Sequence, residues 1–84
     1  MNHRYRQEIL DQLVVHGVQP TPATRPELVH EFVNDLYRYE LRRLRDRLLR
    51  REVAKSDYYD LVVEVRRRYP ALALKPWQWL EGDS

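Results

Sequence analysis

The stretch TRPELVHEFVNDLYRYELRRLRDRLLRREV, residues 24–53, decides the fold of this chain. It opens with Thr24 and, three residues later, Glu27, which match a capping box in which the two side chains satisfy free backbone N–H groups at a helix start. Pro26 suits the first helical turn, and no other helix breaker occurs up to residue 53. The stretch therefore predicts a helix over about 25–53, roughly 43 Å long at 1.5 Å per residue.

The apolar residues of this predicted helix change face about halfway along it. On a helical projection, the first cluster comprises Leu28, Val29, Phe32, Val33, Leu36 and Tyr39. The second cluster, roughly 130° further round, comprises Tyr37, Leu41, Leu44 and Leu48. We therefore expect the first half to pack on a helix that precedes it and the second half on a helix that follows. Leu49 belongs to neither cluster and lies among arginines, so a monomer would leave it exposed.

A shorter helix is predicted before the long one. Tyr5, Ile9 and Leu13 recur every four residues, which is the spacing of one helix face. Gly17 follows where a glycine commonly ends a helix, and two prolines interrupt the segment after it. The sequence therefore predicts a helix over about 3–16, followed by a loop.

A third helix is predicted after a short turn. Ser56 and Asp57 belong to that turn, and both residue types are favoured N-caps. Pro70 ends the helix, because the residue before a proline is disfavoured in helical conformation. The sequence therefore predicts a helix over about 57–69. Its apolar stripe comprises Tyr58, Leu61, Val62, Val65 and Tyr69.

Length and composition indicate one small domain and exclude several kinds of site. Of the 84 residues, 43% are hydrophobic and 33% are charged, which is typical of a soluble globular protein. The sequence has no cysteine, which excludes disulfides and thiolate sites, and its two glycines cannot form a glycine-rich phosphate loop. We therefore predict a single all-α domain over 1–84, a three-helix bundle with a long central helix and an irregular, tryptophan-containing tail over 70–84.

The sequence carries no recognisable catalytic or metal-binding pattern. His30 and Glu31 begin like a zinc-protease motif, but Asn34 stands where that motif has its second histidine. Ser56 and Ser84 have no histidine placed beside them by a known motif. We therefore expect a protein that is not an enzyme, with no catalytic, cofactor-binding or metal-binding residues and no cofactor.

Arginine is concentrated in the second half of the long helix, and its role has two interpretations. Residues 38–51 hold seven arginines. Glu40 with Arg43, and Asp46 with Arg50, have spacings that stabilise a solvated helix face. Alternatively, the arginines bind the phosphates of a nucleic acid. The residues that would do so are Arg42, Arg43, Arg47, Arg50, Arg66 and Arg67.

Two tryptophans dominate the tail, and they also have two interpretations. Trp77 and Trp79 either fold back to cover the bundle or dock onto another protein. Each exposed indole would leave about 150–250 Å² of surface in water, so we expect at least one of them to be buried. An extended chain would point both to one side, whereas a helical turn beginning at Pro76 would separate them.

The aromatic and arginine content of the chain favours a binding role. Tyrosine, tryptophan and arginine are the residue types that dominate protein–protein interfaces. We therefore expect a small protein-interaction or regulatory domain that binds itself as a homodimer, or another protein, through Leu49, Trp77 and Trp79. Nucleic-acid binding is the alternative. No apolar run is long enough for a secretory signal or a membrane span, so we expect a cytoplasmic protein with no membrane partner.

Overall fold

The computed structural model describes residues 2–82 and shows an all-α fold of three helices. The molecule extends 49 × 18 × 17 Å. The predicted fold class, three helices with a long second helix, is confirmed. Met1 and positions 83–84, the end of the predicted tail, lie outside the described residues. In chain order, the elements are α1 (Gln7–Val14), α2 (Pro26–Leu49), α3 (Lys55–Arg67) and two short 3₁₀ turns, Pro70–Ala73 and Pro76–Trp79.

Helix α1 is shorter than predicted because the residues before it pair with the C-terminal tail. Tyr5 and Leu80 form an antiparallel β-bridge. The Arg6 backbone N–H donates to the Trp79 carbonyl oxygen at 2.9 Å, and the Glu81 N–H donates to the Arg4 carbonyl oxygen at 2.8 Å. These bonds hold the segment before Gln7 in an extended conformation, so the prediction of a helix from residue 3 is wrong.

The end of α1 is formed by the predicted glycine. Gly17 has a φ of 76°, in the left-handed region that favours glycine. The Val18 N–H donates to the Leu13 carbonyl oxygen at 3.0 Å, and the Gly17 N–H donates to the Val14 carbonyl oxygen at 3.0 Å. These two bonds define a Schellman motif, which satisfies carbonyl groups at the helix end.

The end of α2 uses the same motif without a glycine. Arg51 has a φ of 61°. The Glu52 N–H donates to the Arg47 carbonyl oxygen at 2.9 Å, and the Arg51 N–H donates to the Leu48 carbonyl oxygen at 3.0 Å. The helix therefore stops at Leu49 rather than at the predicted residue 53, because Arg51 reverses the chain toward α3.

Replacing Arg51 with glycine is expected to stabilise the protein by about 0.5–1 kcal/mol. A left-handed backbone costs a non-glycine residue about 1–2 kcal/mol, and glycine removes this cost. Glycine also makes the unfolded chain more flexible, which offsets part of the stabilisation. Gly17→Ala should have the opposite effect, a loss of stability of about 1 kcal/mol. This loss comes from the backbone conformation and not from a steric clash, because nothing lies within 4 Å of the added Cβ. Urea unfolding measures both changes. Arg51→Ala is the control, and a gain in stability equal to that of Arg51→Gly would contradict the backbone explanation.

The start of α2 corrects the predicted capping box. Arg25 is the N-cap residue and its side chain makes no capping hydrogen bond, while Pro26 occupies the first turn as expected. Thr24 instead stabilises the turn that precedes α2, because its Oγ1 accepts a hydrogen bond from the Thr21 backbone N–H at 3.0 Å. The capping prediction is wrong because the threonine hydroxyl closes the preceding turn instead of the helix.

Helix α3 begins two residues earlier than predicted. Ala54 is its N-cap residue, so Ser56 and Asp57 lie inside the first turn. Asp57 still stabilises the helix start, because a carboxylate there complements the helix dipole. The predicted stripe is confirmed, since Val65 and Tyr69 are buried and its other three members pack against the core. The helix ends at Arg67, and Pro70 begins the first 3₁₀ turn.

The core lies where the first half of α2 meets α1 and the tail. Ile9, Leu13, Val33 and Trp79 are the most completely buried large side chains. Helix α3 packs along the second half of α2, as predicted, where Leu44 is buried. Both 3₁₀ turns pack on α2, and α1 packs on the first of these turns rather than along α2. The expectation that the first half of α2 packs directly on the preceding helix is therefore wrong, because the tail folds back between them, which was one of the two interpretations of the tryptophans.

Candidate interaction surface on helix α2

The outer side of α2 exposes four large apolar side chains. Leu28 is 57% exposed, Phe32 54%, Tyr39 51% and Leu49 69%. The exposure of Leu49 is as predicted. The other three were assigned to the apolar cluster that packs on the preceding helix, and that assignment is wrong. Of that cluster, Val29 and Val33 are buried and Leu36 is partly buried.

These exposed residues follow a seven-residue spacing. Leu28, Asp35, Arg42 and Leu49 are seven apart, and so are Phe32, Tyr39 and Asp46. We call these seven residues the outer stripe. On a helical projection its centre lies about 140° from the buried side chains of α2. The outer stripe is thus a straight line of side chains along the solvent side of α2, in which four apolar residues are interrupted by Asp35, Arg42 and Asp46.

The apolar part of the outer stripe widens at its first end. Leu28 and Phe32 line an open groove of about 260 Å³ together with Val18 and Pro20 of the loop before α2. Val14, at the end of α1, lines a second groove on the same loop. The exposed apolar surface therefore extends from α2 toward α1.

Charge changes sign along the outer side of α2. Glu27, Glu31 and Asp35 lie in the first half, and all three are exposed. From Arg38 onward, the exposed charged residues on this side are arginines. Asp46 is the one acidic residue of the outer stripe in this second half. The guanidinium of Arg43 lies over the Tyr39 ring, 5.9 Å from its centroid. One helix face therefore carries an acidic end and a basic end.

Two of the predicted phosphate-binding arginines lie in one groove of the structure, and the other four lie outside its lining. Arg43 and Arg47 line a groove between α2 and α3, together with Arg68, which was not in the predicted set. Arg42 lies in the outer stripe, and Arg50 pairs with Glu52 at 3.8 Å. Arg66 and Arg67 are exposed in the last turn of α3 and do not line that groove.

The carboxylates near the groove pair across the fold rather than along the helix. Glu40 forms an ion pair with Arg68, the residue that follows α3, at 3.3 Å and accepts a hydrogen bond from the Tyr69 hydroxyl. Arg47 lies 4.0 Å from Glu52. The predicted pairs of Glu40 with Arg43 and of Asp46 with Arg50 are therefore replaced by contacts that join α2 to α3 and to the turn after α2.

The two tryptophans have different environments. Trp79 is fully buried, and its indole N–H donates to the Ala71 carbonyl oxygen at 3.0 Å. Trp77 is 69% exposed. The second 3₁₀ turn begins at Pro76 and separates the two side chains, which was one of the two geometries expected. Trp79 is therefore a core residue and not a docking residue, whereas Trp77 is free to contact a partner.

The described residues and the comparisons with known proteins add three findings. Within residues 2–82, no three His, Cys, Asp or Glu side chains are grouped so that they could hold a metal ion, and no helix is both long and apolar enough to cross a membrane. No known protein family, no curated protein and no solved structure matches this chain.

Proposed function

We propose that this chain is a small non-enzymatic protein-interaction domain that self-associates through the outer stripe of α2. The observation that carries this proposal is the exposure of Leu28, Phe32, Tyr39 and Leu49 on one helix face, each by more than half. Burying apolar surface stabilises a complex by about 25 cal/mol for each Å² removed from water. An exposed apolar patch, such as the one that Leu28 and Phe32 form with the loop before α2, supports an interaction site on a small protein.

The small core supports the same proposal. A chain of this length buries only about 60–65% of the surface that it exposes when unfolded, so its own core provides modest stability. Small domains without disulfides or metals commonly gain stability by association, and this chain has no cysteine. Covering the outer stripe would add a second buried apolar layer to α2.

Nucleic-acid binding is a second candidate function. The observation in its favour is the groove that Arg43, Arg47 and Arg68 share. Two of these arginines already have carboxylate partners within 4.0 Å, which reduces the positive charge available to phosphates. Binding to generic duplex DNA that weakens steeply with salt would support this candidate, whereas self-association needs no nucleic acid.

Light scattering across a concentration series tests the main proposal. We expect the molar mass to rise from 10.3 kDa toward twice that value as the concentration increases. Phe32→Glu should weaken association by more than about tenfold, because it places a charge in the apolar part of the interface. A mass that stays at 10.3 kDa at the highest concentration would contradict the proposal.

Trp77→Glu is the matched comparison for Phe32→Glu. Both substitutions replace an aromatic side chain that is more than half exposed, so both leave the core intact. We expect Trp77→Glu to leave the dimer unchanged, because Trp77 lies outside α2. If Trp77→Glu abolishes association and Phe32→Glu does not, the interface is on the tail and not on the outer stripe.

A further inference from the structure

We infer that the partner of the outer stripe is a second copy of this chain bound antiparallel, with the two-fold axis crossing α2 between Arg38 and Tyr39. This inference rests on the proposed self-association and specifies its geometry. In a symmetric dimer each contact between two different residues occurs twice. The position of the axis therefore determines which residues lie opposite each other along the whole helix.

Apolar complementarity sets this register. Leu28 and Leu49 are the two ends of the outer stripe and are the two most exposed of its apolar residues. They are 21 residues apart, about 31 Å along the helix. An axis midway between them places Leu28 of each copy opposite Leu49 of the other. Both leucines are then covered by an apolar side chain at each end of the interface.

Charge complementarity independently gives the same orientation. With that axis, Asp35 of one copy lies opposite Arg42 of the other, and Glu27 lies opposite Arg50. Asp46 is the exception, because it lies opposite Glu31. A parallel dimer would instead place Asp35 opposite Asp35 and Arg42 opposite Arg42. Like charges that face each other across an interface are destabilising, so the charge pattern favours the antiparallel dimer.

The middle of the interface contains an aromatic ring beside the axis. Tyr39 of each copy lies next to Tyr39 and Arg38 of the other in this register. Aromatic pairs and arginine–aromatic contacts are both favourable. The Arg43 guanidinium of the same chain already lies 5.9 Å from the centroid of this ring.

The absence of cysteine allows a clean cross-linking test of the register. We expect Tyr39→Cys to form a disulfide-linked dimer on oxidation, because the two copies of position 39 adjoin the axis. Leu28→Cys alone and Leu49→Cys alone should not cross-link, since each would lie far from its own copy. An equimolar mixture of those two variants should cross-link, because the two positions face each other.

The cross-linking outcomes separate this inference from the proposed function. Self-linking of Leu28→Cys and of Leu49→Cys would show a parallel dimer, which would overturn the inference and leave self-association intact. A wild-type dimer in which none of the three variants cross-links would place the interface elsewhere and would overturn the inference. A wild-type chain that is monomeric by light scattering would overturn the proposed function and this inference together.

Charge reversal provides a second measurement that does not depend on cysteine. Asp35→Arg and Arg42→Asp should each weaken association by about tenfold, because each creates two like-charge contacts in the dimer. The double variant should restore the wild-type affinity, since its charges are exchanged and remain complementary. A double variant that binds no better than the single variants would overturn the inference.

Discussion

Replacing Trp79 with alanine is expected to lower the free energy of unfolding by about 3–5 kcal/mol, which is typical for removal of a buried large aromatic side chain. The side chain is fully buried, donates to the Ala71 carbonyl oxygen, and lies with its ring 5.0 Å from that of His30. A domain of this size has a total stability of about 4–13 kcal/mol. The variant should therefore be largely unfolded near physiological temperature if the total is at the low end.

Trp77→Ala is the matched control for this substitution. Its indole is mostly exposed, so the loss should be within about 0.5 kcal/mol. Urea unfolding should be followed by circular dichroism, because both variants alter the tryptophan fluorescence. Equal losses in the two variants would contradict the burial of Trp79. Truncation after Leu74 removes Trp79 and the tail that pairs with Arg4 and Arg6, so its effect should be at least as large.

The helices could be predicted from local patterns, but their ends depend on distant residues. The four-residue spacing of Tyr5, Ile9 and Leu13 indicates one face, and all three side chains are indeed buried. Nothing near Tyr5 in the sequence shows that the tail pairs with it at Leu80. An arginine at position 51 carries no signal that it adopts a left-handed conformation.

The candidate interaction surface could not be predicted either, because the exposure of its residues also depends on distant parts of the chain. A helical projection groups Leu28 and Phe32 with Val29 and Val33, because their angles are close. Which of them is buried depends on where α1 and the tail lie, and the projection does not contain that information. Asp35 and Arg42 lie in the same seven-residue series as Leu28 and Leu49. Charged residues in that series were the available signal that this side of the helix is exposed.

Tyr69→Ala is expected to have the second largest effect, a loss of about 3–4 kcal/mol. Tyr69 is buried and joins three elements of the fold. Its ring stacks on His16 with centroids 4.1 Å apart, it contacts Tyr37 at 5.2 Å, and its hydroxyl donates to Glu40. The substitution therefore removes the contact between the turn after α1 and the segment after α3, together with the contacts to Tyr37 and Glu40 of α2. Chemical unfolding measures the loss.

Tyr69→Phe separates the hydroxyl from the ring. A hydrogen bond to a charged group contributes about 1.5–3 kcal/mol, so Tyr69→Phe should lose less than Tyr69→Ala. Combining it with Glu40→Ala, which removes the acceptor, in a double-mutant cycle isolates the pair. The loss in the double variant should be smaller than the two single losses added together, because either substitution alone breaks the same bond. Additive losses would show that the hydroxyl and the carboxylate do not interact.

The same hydroxyl makes stability depend on alkaline pH. Burial, and secondly the hydrogen bond to Glu40, raise the pKa of Tyr69 above its ordinary value of 10.0. Below pH 10.0 the tyrosine is protonated in both the folded and the unfolded chain, so its contribution is complete. Above that pH the unfolded chain loses the proton first, and stability falls as the pH rises.

Burial and Glu27 also raise the pKa of Tyr5, so the wild type should be compared with Tyr69→Phe, which keeps Tyr5. We expect a shallower loss of stability with pH in the variant, and identical slopes would contradict the raised pKa of Tyr69.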